Sequence, residues 1–230
     1  MNTRTILALG DAAPSDNAIN EYIVGLADKS RPTICFLGTA TGDADGYIQK
    51  FHNGFSRFDC VTTHLSLFKL PSADLRPYLL GSDIIYVGGG NTRSMLALWR
   101  EWGLDSILRD AWEQDIVLCG PSAGAICWFE QGTTDVVPGE LNPISCLGFL
   151  PGSFCPHYDS EPLRRPGYRQ MIADGTLKDG YAADDLVGLL FRGQELTEIV
   201  SARPDAQAYR VRQQNGQAVE TPLTPTLYLK

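Results

Sequence analysis

The chain has 230 residues, a net charge of −8 at pH 7 and 43% hydrophobic residues. Its Lys and Arg residues are dispersed, which argues against a nucleic-acid partner, since such partners are bound by concentrated positive charge. No apolar run approaches the roughly 20 residues needed to cross a membrane, and the N-terminal segment resembles a strand and turn rather than a cleaved signal. We therefore expect one cytoplasmic domain, residues 1–230, that binds neither nucleic acid nor membrane.

The first two thirds of the chain alternate short apolar runs with stretches of helical periodicity. The apolar runs predict strands over residues 5–10, 33–40, 61–68, 83–90 and 115–120. Helices are predicted over residues 15–30, with Ser15 or Asp16 as N-cap, and over 46–58, 92–103 and 104–114. Because most of the strands have no polar face, the pattern favours a mostly parallel sheet covered by helices on both faces. The predicted fold is α/β, doubly wound and flavodoxin-like.

The pattern changes after residue 180 to alternating runs with turn signals at Arg192-Gly193 and Asn215-Gly216. These runs predict antiparallel strands at one edge of the sheet. The six cysteines contain no CxxC pair, and Cys35, Cys119 and Cys127 lie in apolar runs where thiols pack as small hydrophobic groups. Neither a structural zinc site nor another metal or cofactor is therefore predicted.

Ser122 lies in "GPSAGA", residues 120–125, which follows a predicted strand and precedes an apolar run. The five residues from Gly120 fit G-x-S-x-G in the strand–turn–helix context that a nucleophilic serine on a strained turn requires. The amide of the next residue, Ala123, would point towards an oxyanion. The same string also fits a serine that merely caps a helix, so a second feature is needed to decide.

That feature is the run Gly88-Gly89-Gly90, followed by Asn91, at the end of another predicted strand. Residues without side chains expose their backbone N–H groups to a ligand, so Gly89 and Gly90 could supply the second oxyanion donor. The run lacks the spacing of a dinucleotide loop and the Gly-Lys-Ser/Thr ending of a phosphate loop. A glycine-rich turn that only allows a helix to pack closely is the alternative.

A serine nucleophile needs a base, and the chain has three histidines. His52 and His64 lie in a predicted helix and strand, where a packed or solvent-facing ring is expected. His157 follows Pro156 in a stretch without periodicity, the kind of loop that presents catalytic groups. Asp184 and Asp185 lie downstream, and either could orient its imidazole. The order Ser, His, Asp differs from the Ser, Asp, His of ordinary α/β-hydrolases.

These residues resemble the dipeptidase E (aspartyl dipeptidase) family, whose relatives include cyanophycinase. The resemblance spans roughly residues 80–195 and is carried by "VGGGNT" (87–92), "GPSAGA" (120–125), "GFLPGSFCPHYD" (148–159) and "DD" (184–185). It implies a fold like that of class I glutamine amidotransferases and a serine peptidase that acts on very short peptides without a metal, with Asp-X dipeptides as one candidate substrate. The implied partner is a small peptide, bound by a monomer or homodimer.

The resemblance also implies roles for individual residues. Ser122 matches the nucleophile and His157 the base, while Asp185 aligns best with the third residue and Asp184 is the alternative. Many members read Asp-Asp-Gly here, whereas this chain has Leu186.

Substrate-binding candidates follow from the same resemblance and from the chemistry of arginine. An arginine after the histidine binds the acidic substrate side chain in some members, and a planar guanidinium suits that task. The candidates here are Asn91, Arg164, Arg165 and Arg169. The arginines could instead lie on a solvated helix start, paired with Asp159 or Glu161. Two other functions stay open: an esterase or amidase with the same triad, and an inactive binding relative.

Overall fold

A computed structural model describes residues 4–230, in which the strands form two sheets. Strands and helices alternate as far as Pro121: β1 Thr5–Leu9, α1 Asn17–Gly25, β2 Thr33–Leu37, α2 Asp45–Phe55, β3 Val61–Leu65, α3 Arg76–Leu80, β4 Ile84–Val87, α4 Thr92–Glu101, α5 Leu104–Glu113 and β5 Val117–Pro121. The predicted strands and helices of this part are confirmed with shorter bounds. Asp16 is the N-cap of α1, where its side chain accepts from Ile19 N–H at 3.0 Å.

The remaining chain is mostly strand: α6 Ala123–Ile126, β6 Phe129–Thr134, β7 Asn142–Ser145, β8 Leu150–Cys155, α7 Arg164–Ala173, β9 Gly180–Ala183, β10 Val187–Arg192, β11 Glu195–Ser201, β12 Ala208–Gln214, β13 Gln217–Leu223 and β14 Leu227–Tyr228. Among the described residues, the eight-stranded main sheet has the order β14-β11-β10-β1-β5-β4-β2-β3. The six-stranded second sheet has the order β13-β12-β9-β8-β6-β7.

The main sheet confirms the α/β fold. Strands β1, β5, β4, β2 and β3 are parallel neighbours, and the first four are almost wholly buried, as their uniformly apolar sequences require. Their carboxyl ends therefore lie at one edge of the sheet, where ligands of open α/β sheets bind. The loops that leave this edge begin at Gly10, Gly38, Gly88 and Ser122.

The C-terminal strands confirm the prediction in part. Strand β10 is antiparallel to β1 and β11 is antiparallel to β10, so the two extend one side of the main sheet, where β14 is the outermost strand. The hairpin β12–β13 belongs to the second sheet, where Asn215 and Gly216 form its two-residue turn with φ of 51° and 77°. The two sheets share one hydrophobic core, in which Phe129, Phe154 and Ala183 pack in the same cluster as Ile6 and Leu118.

No helix among residues 4–230 is long and apolar enough to cross a membrane. All six cysteines are unpaired, and Cys35, Cys119 and Cys127 are buried as expected. Burial raises the pKa of each of these three thiols, so they stay protonated.

Candidate active site

Ser122 occupies a strained turn between β5 and α6. Its φ of 53° and ψ of −116° place it in a region that residues with a side chain rarely adopt. The turn is tied to the neighbouring strand, because Ser122 N–H donates to the carbonyl of Leu9 at 3.2 Å. A non-glycine residue keeps such a conformation only when its surroundings determine it, and these positions cluster at active sites. The predicted strand–turn–helix context of Ser122 is therefore present.

Glycines on both sides of Ser122 let the neighbouring backbone approach. A Cβ added to Gly120 or to Gly124 would lie 2.1 Å from the carbonyl oxygen of Val87, a separation that no real side chain tolerates. A Cβ on Gly89 would lie 3.3 Å from the Cβ of Ser122. The two glycine motifs of the sequence thus meet, since the loop after β4 packs directly against the serine turn.

His157 and Asp185 form a hydrogen-bonded pair, with 3.1 Å between Nδ1 and Oδ1. The pair follows from strand pairing: β8 and β9 are parallel neighbours, with Cys155 opposite Ala182, and the two residues come shortly after these strand ends. Tyr158 N–H donates to the carbonyl of Ala183 at 3.1 Å and fixes the register beyond the strands. The sequence left Asp184 and Asp185 open, and the structure brings Asp185 to the histidine.

Asp184 points elsewhere. It is 5% exposed, and its Oδ2 accepts from the N–H of Gln207 at 2.9 Å. Burial raises the pKa of Asp184, only partly offset by this hydrogen bond. Asp184 thus anchors the segment between β9 and β10. This segment connects the second sheet to the main sheet and contains Asp185.

The loop after β1 joins the site from the main-sheet side. Leu186 N–H donates to the carbonyl of Asp11 at 2.9 Å, and Gly10 N–H donates to the carbonyl of Val187 at 2.9 Å. These bonds hold the Asp185 segment against the same strand that anchors Ser122. The end of β1 and the loop after it are therefore hydrogen-bonded both to the Ser122 turn and to the segment that carries Asp185.

Electrostatics make His157 a stronger base than usual. Burial lowers the pKa of His157, but the hydrogen bond to Asp185 and the charges of Glu161 and Asp11 raise it to a net value above the ordinary one. Burial raises the pKa of Asp185, but the hydrogen bonds from His157 and Ser160 lower it below its usual range. An ionised carboxylate only accepts, so the shared proton lies on Nδ1 and Nε2 is the basic nitrogen.

Two acidic residues near His157 were missed by sequence reasoning. The ligand atoms of Asp11, His157 and Asp185 all lie within 4.8 Å of one another, so these residues could together hold a metal ion. Glu161 Oε1 lies 3.9 Å from His157 Nε2. Asp11 follows a buried strand at the carboxyl edge of the sheet, which is the signal that could have found it.

The predicted oxyanion donors are close to Ser122, but they are not equivalent. The N–H of Gly89 donates to the Tyr47 hydroxyl at 3.2 Å. Gly90 has a φ of 135°, and a Cβ there would lie 2.5 Å from the carbonyl oxygen of Ala40, so only glycine fits. The amides of Gly90 and Ala123 are therefore better candidates for the oxyanion hole than that of Gly89.

The predicted substrate-binding arginines have carboxylate partners within the chain. Arg164 is 2% exposed and bonds Glu161 Oε2 at 2.5 Å and Asp135 Oδ1 at 2.9 Å. Arg165 pairs with Glu220, and Arg169 Nε lies 3.7 Å from the same carboxylate. The pair of Arg164 with Glu161 is one of the predicted alternatives, and substrate binding by the three arginines stays a prediction.

Asn91 also has a structural role. It is the N-cap of α4, where its Oδ1 accepts from the N–H of Ser94 at 2.9 Å. His52 and His64 contact each other, with 3.1 Å between Nε2 and Nδ1. This contact agrees with the packed or solvent-facing rings predicted for them.

The fold and the site define a class: an α/β protein with a strained serine turn and a half-buried histidine–aspartate pair. The model of peptidase family S51 matches residues 6–199, and the chain therefore belongs to that family. It is 50% identical to the uncharacterised peptidase YgaJ of Bacillus subtilis strain 168 over 230 residues, covering 98% of this chain and 99% of the relative. It is 27% identical to peptidase E of Shewanella amazonensis over 192 residues, 78% of each chain.

Solved structures confirm the fold. A peptidase from an acI-B1 Actinobacterium matches with a TM-score of 0.75 at 17% identity, covering 97% of this chain and 95% of that one. A structure from Listeria monocytogenes EGD-e assigned to peptidase E matches with a TM-score of 0.63 at 15% identity, covering 96% and 100%. The predicted resemblance to the dipeptidase E family is thus confirmed, and the chain is a member of a peptidase family.

Proposed function

We propose that the protein is a serine peptidase that hydrolyses short peptides, dipeptides among them, through an acyl-enzyme. The observation that carries this proposal is the 3.1 Å contact between His157 and Asp185, on a segment that the end of β1 links to the strained turn of Ser122. Membership of peptidase family S51 supports hydrolysis of peptides over hydrolysis of other amides or esters. Six unpaired cysteines fit a reducing compartment, so we also propose a cytoplasmic location.

In the proposed reaction, Ser122 Oγ attacks the peptide carbonyl carbon while His157 Nε2 takes its proton. The carbonyl oxygen becomes an oxyanion, held by the amides of Gly90 and Ala123. The intermediate collapses, the C–N bond breaks and His157 returns the proton to the leaving amine. Water then attacks the ester in the same way, which releases the acid and restores Ser122.

Asp185 orients His157 in this scheme and stabilises the imidazolium that forms. Its lowered pKa keeps it ionised at neutral pH, which this role requires. No step needs a metal, so activity should survive dialysis against EDTA.

The experiment compares Ser122→Ala with Ser94→Ala on a panel of dipeptides with free and blocked termini. Ser94 is an exposed serine on α4 and controls for the substitution itself. We expect Ser122→Ala to lose about a million-fold in turnover and Ser94→Ala to match the parent. Near-normal hydrolysis by folded Ser122→Ala would overturn the proposal. Activity on nitrophenyl esters with none on any dipeptide would assign an esterase instead, and no activity with no serine labelling would indicate a binding relative.

A further inference from the structure

A cavity of about 750 Å³ lies between α2 and the loop that follows β1. Its volume is within the range of small-ligand sites. The loop contributes Ala13, Pro14 and Ser15, a stripe on α2 contributes Tyr47, Lys50 and Gly54, and the turn after α2 contributes Arg57. The stripe has helical spacing, so its three residues share one face. Gly54 allows the helix to approach the loop, because a Cβ there would lie 1.7 Å from the carbonyl oxygen of Pro14.

The cavity adjoins the proposed catalytic groups. Tyr47, which lines it, accepts from the N–H of Gly89 at 3.2 Å, and Gly89 packs against Ser122. On the opposite wall, Ala13 lies two residues after Asp11, which belongs to the cluster around His157. The cavity wall is therefore linked to the Ser122 turn through Tyr47 and Gly89.

The charge of the cavity is opposite to that of the whole chain. The chain carries a net charge of −8, yet the cavity is lined by Lys50 and Arg57 with no Asp or Glu among its lining residues. Within residues 4–230, neither Lys50 nor Arg57 forms an ion pair with a carboxylate, in contrast to Arg164, Arg165 and Arg169. Cations that converge on a cavity without a protein counter-ion suit an anionic ligand.

The two cations lie at different distances from Tyr47. At about 1.5 Å of rise per residue, Lys50 is roughly 4.5 Å from Tyr47 along α2, whereas Phe55 at the end of the helix is already roughly 12 Å away and Arg57 follows it in the next turn. A dipeptide spans only about 7 Å. A dipeptide that contacts Tyr47 thus reaches Lys50, and only a longer or larger ligand reaches Arg57.

We propose that this cavity binds a carboxylate of the peptide substrate, with Lys50 as the cation for dipeptides and Arg57 as the outer cation. The inference rests on the proposed peptidase function of the adjoining site. The carboxylate belongs either to an acidic side chain or to the C-terminus of the peptide. A lysine or arginine that meets a carboxylate in a partly enclosed site forms a charge-assisted hydrogen bond, which changes affinity by about tenfold to a hundredfold.

The kinetic test measures kcat/KM of Lys50→Gln and Arg57→Gln on Asp-Leu, Ala-Leu and Ala-Leu amide. Arg212→Gln is the charge-matched control, since Arg212 is an exposed residue of β12 in the second sheet. We expect Lys50→Gln to lose about tenfold to a hundredfold on the peptides that carry the recognised carboxylate, and Arg57→Gln to lose less. A loss confined to Asp-Leu identifies the side chain. A loss on both free acids but not on the amide identifies the C-terminus. Unchanged rate ratios in Lys50→Gln would overturn the inference.

A binding test separates this inference from the proposed function. Succinate is titrated by calorimetry into the parent, the double variant Lys50→Gln/Arg57→Gln and Arg212→Gln. We expect saturable binding that the double variant loses and the control retains. Equal binding by parent and double variant, or none by the parent, would overturn the inference. A parent that cleaves none of the peptides but binds succinate through Lys50 would refute the peptidase function and leave the cavity as an anion site.

Discussion

The main sheet and the second sheet contribute different halves of the proposed catalytic machinery. The main sheet supplies Ser122 on a turn flanked by glycines. These glycines are required because the backbone of β4 passes too close for a side chain. The second sheet supplies His157 and Asp185 from the ends of two neighbouring strands. The proposed nucleophile is therefore positioned by close backbone packing, whereas the proposed base and acid are positioned by the register between β8 and β9.

The largest predicted effect is the difference in kcat between variants of the neighbouring residues Asp184 and Asp185. Asp185→Asn should lower kcat by about ten thousand-fold, because an amide cannot hold the imidazole in the required tautomer. Asp184→Asn should stay within tenfold of the parent, since the amide oxygen can still accept from Gln207 N–H. Steady-state kinetics of both variants on one dipeptide measure the contrast. Equal losses in the two variants would contradict the assignment of Asp185 as the orienting acid.

Stability should depend on the buried arginine of the second-sheet region. Arg164 bonds Thr133 of β6 as well as Glu161 and Asp135, so Arg164→Met leaves these groups without their cation. We expect it to lower the free energy of unfolding by about 3 kcal/mol.

The control is Arg169→Met, since Arg169 has a half-exposed side chain. It should cost less than about 1 kcal/mol. Urea denaturation measures the free energy of unfolding of both variants. Similar losses for the two would show that the burial of Arg164 does not stabilise the fold.

The smallest predicted effect is a shift in pH dependence. Only neutral His157 can accept the serine proton, so activity should fall as the pH drops through the raised pKa of His157. Asp11→Asn removes a negative charge that favours the imidazolium, which lowers this pKa and moves the acid limb of kcat/KM to lower pH. Glu195→Gln is the control, because Glu195 lies opposite Arg192 in the β10–β11 ladder, next to the amino end of β1 and away from the carboxyl edge. An acid limb that stays in place in Asp11→Asn would show that Asp11 does not act on His157.

The main sheet could be predicted because its strands are recognisable in the local sequence. Runs such as Ile84–Val87 are apolar throughout, and the helices between them have clear periodicity, so a mostly parallel sheet and its carboxyl edge follow. Ser122 could be found for the same reason, since its glycines are required by the adjoining strands. His157 was found from its loop and the two candidate acids from their place downstream, and the resemblance then favoured Asp185.

The second sheet was not predicted because its strands are set by distant pairing. Strand β7 is partly exposed and β8 contains Pro151 and Gly152, which ordinarily weaken a strand assignment. The carboxylate partner of Arg165 was not predicted for a related reason: Glu220 lies 55 residues away in sequence. The choice between Asp184 and Asp185 likewise depends on which side chain faces His157, and that is a property of the assembled sheets.

The central claim is that a histidine–aspartate pair of the second sheet activates a serine of the main sheet. Labelling with a fluorophosphonate, followed by mass spectrometry of the labelled peptide, tests it most directly. We expect the parent to be modified at Ser122. We expect His157→Gln to slow labelling by at least a hundredfold and His64→Gln to be labelled at the parent rate. Modification at another residue, or equally fast labelling of Ser122 in His157→Gln, would contradict it.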